Sequence, residues 1–139
     1  MQSKDNGKIV VAKFVEGQTL ENLEMLAEKH GIDSAVIVSG IGMLENAVIG
    51  YFNGKEYIKE ELKEPAELVS MQGNIGRDSD GKIICHIHVA LAPSDHKLVG
   101  GHLLGGEVNV VNEIVMQRLD GIRLTRKKNA DGLMEMHLE

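Results

Sequence analysis

Tryptophan is missing from this sequence, and two tyrosines and two phenylalanines are its only other large aromatic residues. Proteins that hold single-stranded nucleic acid stack bases on such rings, so their scarcity disfavours that class. A single cysteine, Cys85, excludes an internal disulfide, and its apolar neighbours mark it as a small buried side chain. No apolar run is long enough to cross a bilayer. Met1 to Gly7 carries a lysine but no apolar segment after it, so no secretory signal is visible and a cytoplasmic location is expected. Positive charge is also short. The formal net charge is −6, and no basic run exceeds Arg126-Lys127-Lys128. Affinity for duplex DNA depends on lysine and arginine neutralising phosphates, so generic nucleic-acid binding is disfavoured.

Two loop motifs are incomplete. Ser39-Gly40-Ile41-Gly42 follows a strand-like run, but the lysine-serine ending of a phosphate loop and the third glycine of a dinucleotide fingerprint are absent, which leaves a sharp bend with close backbone approach. The aspartates of Arg77-Asp78-Ser79-Asp80-Gly81 lack the remaining ligands of a calcium loop.

What is present is a succession of β-branched runs. Lys8 to Val15 reads as a first strand, and Ala35 to Val38 as a buried one. Ala47 to Phe52 and Lys55 to Ile58 flank Asn53-Gly54, the favoured pair of a hairpin turn. Further strands are expected from Ala66 to Ile75, Ile83 to Leu91 and Val108 to Leu119, with a final pair around Asn129-Ala130-Asp131-Gly132. One helix is clear: Thr19 is placed to cap it, Leu20, Leu23, Leu26 and Ala27 form its apolar stripe, and Gly31 ends it, with His30 beside its carboxyl end. A short second helix near Ser94 to Leu98 is the other candidate. With no linker or repeat, the 139 residues predict one α+β domain over 8–139, mainly an antiparallel, strongly twisted sheet, after a flexible segment 1–7.

The chemistry concentrates in three histidines. In Cys85-His86-Ile87-His88 the two imidazoles are one residue apart on a strand, so they share a face with backbones roughly 6.5–7 Å apart, and Cys85 faces the other way. His102, preceded by Gly100-Gly101, supplies a third nitrogen; the glycines allow the close backbone approach suited to a ligand entering from a turn. Three nitrogens leave a tetrahedral ion one open position, as in catalytic zinc sites. Zinc is the leading metal, with nickel or iron as alternatives. His96 is a weaker candidate ligand; Ser94, Asp95 and Glu113 are candidate partners for the histidines, and Glu113 is also the candidate for acid–base work.

Ser39-Gly40-Ile41-Gly42, Glu67 to Ile75, Cys85-His86-Ile87-His88-Val89 and Val99-Gly100-Gly101-His102-Leu103 together resemble, in order and over nearly the whole chain, the plants-and-prokaryotes conserved (PPC) domain. The resemblance implies an α+β fold, a homotrimer, and a metal on His86, His88 and His102. The histidine spacing is similar to that of acetolactate decarboxylase, a zinc enzyme of related fold, an analogy that does not carry over the substrate. Plant relatives pair the domain with an AT-hook, which is absent here. Three readings follow: a trimeric metal-binding protein acting as a metalloenzyme on a small oxygen-rich metabolite bound at the metal, a non-enzymatic protein-interaction module, and, with least support, a DNA-binding protein. The catalytic residues and physiological role are not legible.

Overall fold

In a computed structural model describing residues 1–139, nine strands and one helix follow the order β1 (Gln2–Asp5), β2 (Ile9–Phe14), α1 (Thr19–Lys29), β3 (Ala35–Phe52), β4 (Tyr57–Glu61), β5 (Ala66–Asp78), β6 (Ile83–Ala92), β7 (Val99–Arg118), β8 (Leu124–Lys128) and β9 (Met134–Leu138). All nine strands belong to one sheet, ordered β1-β2-β7-β3-β5-β8-β9, with β4 on β3 and β6 bridging β5 and β7. The pairings are antiparallel except for the short parallel contact of β5 with β8, so the sheet is mixed. Because β3 pairs with both β5 and β7, and β6 pairs with the same two strands, β3, β5, β6 and β7 form a closed ring.

Several local expectations are corrected. Residues 1–7, expected to be a flexible lead-in, contain β1, whose Gln2 to Asp5 pair with Lys13 to Val10. Ser39 to Gly42 do not end a strand: β3 runs through them for 18 residues, absorbing its curvature in β-bulges. The close approach is there, with the Val111 carbonyl lying where a Cβ on Gly42 would stand. The Asn53-Gly54 hairpin has a four-residue loop, in which the Asn53 side chain accepts the Lys55 and Glu56 backbone N–H groups. No helix forms near Ser94 to Leu98, where a turn after Pro93 holds His96 at a φ of 64°.

The helix starts one residue earlier than its capping pattern suggested. Thr19 is its first residue and is buried, its hydroxyl donating to Asn112 Oδ1 at 3.4 Å, while Gln18 takes the cap position without a side-chain hydrogen bond. Its end follows the expectation: Gly31 at φ 59° lets Ile32 N–H donate to Ala27 O at 2.9 Å, with Gly31 N–H reaching Glu28 O. Leu23, Leu26 and Ala27 are buried, and the helix packs on β6 and β7. His30 turns instead to β1, with Ser3 Oγ 3.0 Å from its Nε2 and Asp5 Oδ2 3.4 Å from its Nδ1.

Along β6 the core face carries Ile83, Ile87, Val89 and Leu91 with Cys85, and the opposite face carries Ile84, His86, His88 and Ala90. Ile87 is fully buried. Ile87→Ala is expected to lower the unfolding free energy by about 2–5 kcal/mol, from lost burial plus an unfilled cavity, read from urea unfolding.

Candidate metal centre

The histidines are brought together by two different devices. Alternation on β6 puts His86 and His88 on one face, their Nε2 atoms 3.2 Å apart. The β6–β7 ladder then sets His102 directly opposite His88. His102 therefore comes from within a strand, a correction to the turn expected from its glycines. Those glycines do permit the approach: a Cβ on Gly100 would stand 2.4 Å from Val89 O, and one on Gly101 2.7 Å from Gly50 O. One nitrogen from each ring lies within 4.8 Å of the other two. Two nitrogens bound to one zinc at about 2.0–2.1 Å with tetrahedral angles lie about 3.3 Å apart, so the His86–His88 separation fits such an ion without rearrangement. His102 Nδ1 is buried without a hydrogen-bond partner.

The surroundings of His86 and His102 favour their neutral form, the form that binds metal. Burial, then the charges of His86 and His88, pulls the His102 pKa down to about 4. Burial, followed by the charges of Arg126 and His88, also lowers that of His86. Unfolded imidazoles protonate near pH 6.5, well above folded His102 at about 4. Between those values the unfolded chain binds more protons, so metal-free stability falls as pH drops through that window. A lower urea midpoint at about pH 5 than at about pH 7 is the expected result.

Other candidates stand elsewhere. His96 is exposed in its turn, outside the cluster. Ser94 donates to Glu64, Asp95 accepts the Lys97 N–H, and Glu113 pairs across the sheet with Lys13 on β2. Cys85 faces the core, and burial, with the Glu24 charge adding, pushes its thiol up to about 12. It is expected to resist iodoacetamide at about pH 8 until the chain is unfolded, because the thiolate is the nucleophile.

Three residues beside the histidines escaped the sequence reading. The Tyr57 ring packs on His102 with centroids 5.0 Å apart. Asn74 lies opposite His86 in the β5–β6 ladder. Arg126, buried on β8, donates through Nη2 to Asn74 Oδ1 and through Nη1 to Met134 O at 3.2 Å. With His86 and His102, Tyr57 and Arg126 line a cleft of about 600 Å³. Asn74 was visible only as one position of the Glu67 to Ile75 run, and Arg126 only as part of a basic run.

A family model described as the Plants and Prokaryotes Conserved (PCC) domain matches residues 1–120. A plant- and prokaryote-conserved (PPC) protein from Pyrococcus horikoshii is 36% identical with a TM-score of 0.86, over 94% of this chain and 92% of that one. A metal-containing protein from Archaeoglobus fulgidus is 36% identical with a TM-score of 0.83, over 94% of each chain. Other structural neighbours are called DNA-binding. Among characterised sequences, the bifunctional protein GlmU of a Synechococcus species is 26% identical over 136 residues, 95% of this chain, but the chain spans only 21% of that protein's length.

Proposed function

Since the chain belongs to the Plants and Prokaryotes Conserved domain family, we propose that it is a metal-binding member, with one zinc ion held by His86, His88 and His102 and one coordination position open to a small oxygen-bearing ligand. The observation that carries this reading is the convergence of three imidazole nitrogens within 4.8 Å of one another, with His86 and His102 lining a cleft. The metal-containing relative from Archaeoglobus fulgidus, at 36% identity, supports it. Bound there, zinc would supply a Lewis acid that polarises a carbonyl or lowers the pKa of a coordinated water. The chain's own contribution is geometric: two adjacent strands fix the three rings, and Tyr57 packs against His102. We read this arrangement as that of a metalloenzyme acting on a small oxygen-rich metabolite.

We place the chain in a homotrimer. Val11, Val38, Ile41, Val69 and Val110 are exposed large apolar side chains on β2, β3, β5 and β7, and subunit contact would remove such surface from water. Sedimentation at three times the 15.2 kDa chain mass is the expected result.

Elemental analysis of protein purified without a tag tests the metal directly. About one zinc per chain is expected. Nickel or iron in its place would change the metal while keeping the site. No metal, and none taken up on addition, would favour the competing interaction module. The DNA-binding name of some neighbours makes a different forecast, salt-dependent affinity for duplex DNA. The net charge of −6 weighs against it, and no duplex binding is expected even at about 50 mM salt.

A further inference from the structure

Arg126 is 3% exposed, and no other arginine or lysine is buried in this chain. It is also missing from the ion pairs. Partly buried Arg77 has Glu28 and Asp33, and Arg118 has Asp5, but no carboxylate pairs with Arg126. Its protein partners are two neutral acceptors, Asn74 Oδ1 and Met134 O, and its Nε has none. Neutral acceptors satisfy two of five N–H donors and leave the charge uncompensated, whereas buried charges in folded proteins are normally paired.

The place of this charge gives it a meaning. Arg126 lines the same cleft as His86 and His102, and Asn74, opposite His86 across the ladder, holds the guanidinium on the histidine side. Ile84, Leu133 and Met134 make much of the remaining wall apolar. We infer that the cleft takes a small organic anion, its carboxylate paired with Arg126 and a second oxygen directed at the histidine cluster. Only the role of that second oxygen rests on the proposed metal site. A carboxylate suits the position better than a dianionic phosphate, because one positive charge with two donors already engaged matches one negative charge, and the apolar wall suits a carbon body.

Calorimetric titration with L-lactate and with lactamide, the same molecule with a neutral amide in place of its carboxylate, tests the inference on the full chain. Zinc is measured on the same samples, and the titrations are repeated after chelation. Since a hydrogen bond to a charged group contributes about 1.5–3 kcal/mol, lactate is expected to bind about tenfold or more tightly than lactamide. Arg126→Met is expected to abolish the preference with zinc content unchanged, and Arg126→Lys to retain part of it. Equal affinity of the two probes, no lactate binding, or a preference that survives Arg126→Met overturns the assignment; a carboxylate from a second copy filling the site would give the first or second result. The wild-type comparison decides if Arg126→Met does not fold. A charge preference without zinc in any sample would support Arg126 and remove the zinc reading, whereas one zinc per chain without the preference would do the reverse.

Discussion

Replacing His86 and His88 together with alanine is expected to take the zinc content of purified protein from about one ion per chain to near none, with the sheet still folded. The two imidazoles are the pair whose Nε2 atoms stand 3.2 Å apart, so the double variant leaves His102 alone as a nitrogen ligand. Loss of a residue that merely orients a metal ligand weakens metal binding about 10–100-fold, and removal of two ligands is expected to exceed that. The fold should tolerate the change. His88 is exposed, His86 is half-buried, and both lie on the face of β6 opposite Ile87 and Val89. Circular dichroism and sedimentation should therefore match the wild type while elemental analysis does not. Full metal occupancy in the variant would end the assignment.

Gly73→Ala is expected to be the most damaging single methyl addition near the site. Gly73 lies in the middle of β5, paired with Ile37 on one side and Ile87 on the other, at φ 147°. A Cβ there would stand 2.0 Å from the His86 carbonyl oxygen and 3.0 Å from Ile87 Cα. Both obstacles are backbone, and ladders on both sides hold them, so no rotamer change relieves the contact. A clash of this kind falls in the exceptional range of point-mutant effects, above about 4 kcal/mol. Urea unfolding measures it. Any folded fraction has moved the His86 backbone, so zinc affinity should fall along with stability. A loss under about 1 kcal/mol would mean that β5 and β6 can separate here more easily than the register implies.

The two halves of the histidine site were not equally legible. His86 and His88 could be paired from sequence because strand alternation is a local property, and the same rule sent Cys85 to the core. His102 was legible as a candidate through its glycines, but the reason it arrives was not. A run of glycines reads as a turn, and only a partner strand makes it a place where two backbones close on each other. Length misled in the same way: β3 and β7 extend across glycines and bulges that read as boundaries, because ladders on both sides replace the local preference for a bend. The pairing of the N-terminal residues and the partners of the His30 ring were not legible for a related reason, since no local pattern shows that β1 covers β2 and meets the helix end.

Sequence alone determined the class of fold, the helix and its glycine stop, the inward face of β6 and the three imidazoles. Each of these rests on periodicity or conformation within a few residues. Tertiary structure decided that β6 pairs with β7 and so closes the ring, which sets His102 against His88. It also decided that β8 docks in parallel beside β5, which buries Arg126 against Asn74 next to His86. Both are pairings between strands whose partners no local pattern names: hydrogen-bonded ladders are alike from strand to strand, and only the packing of the whole chain selects which edges meet.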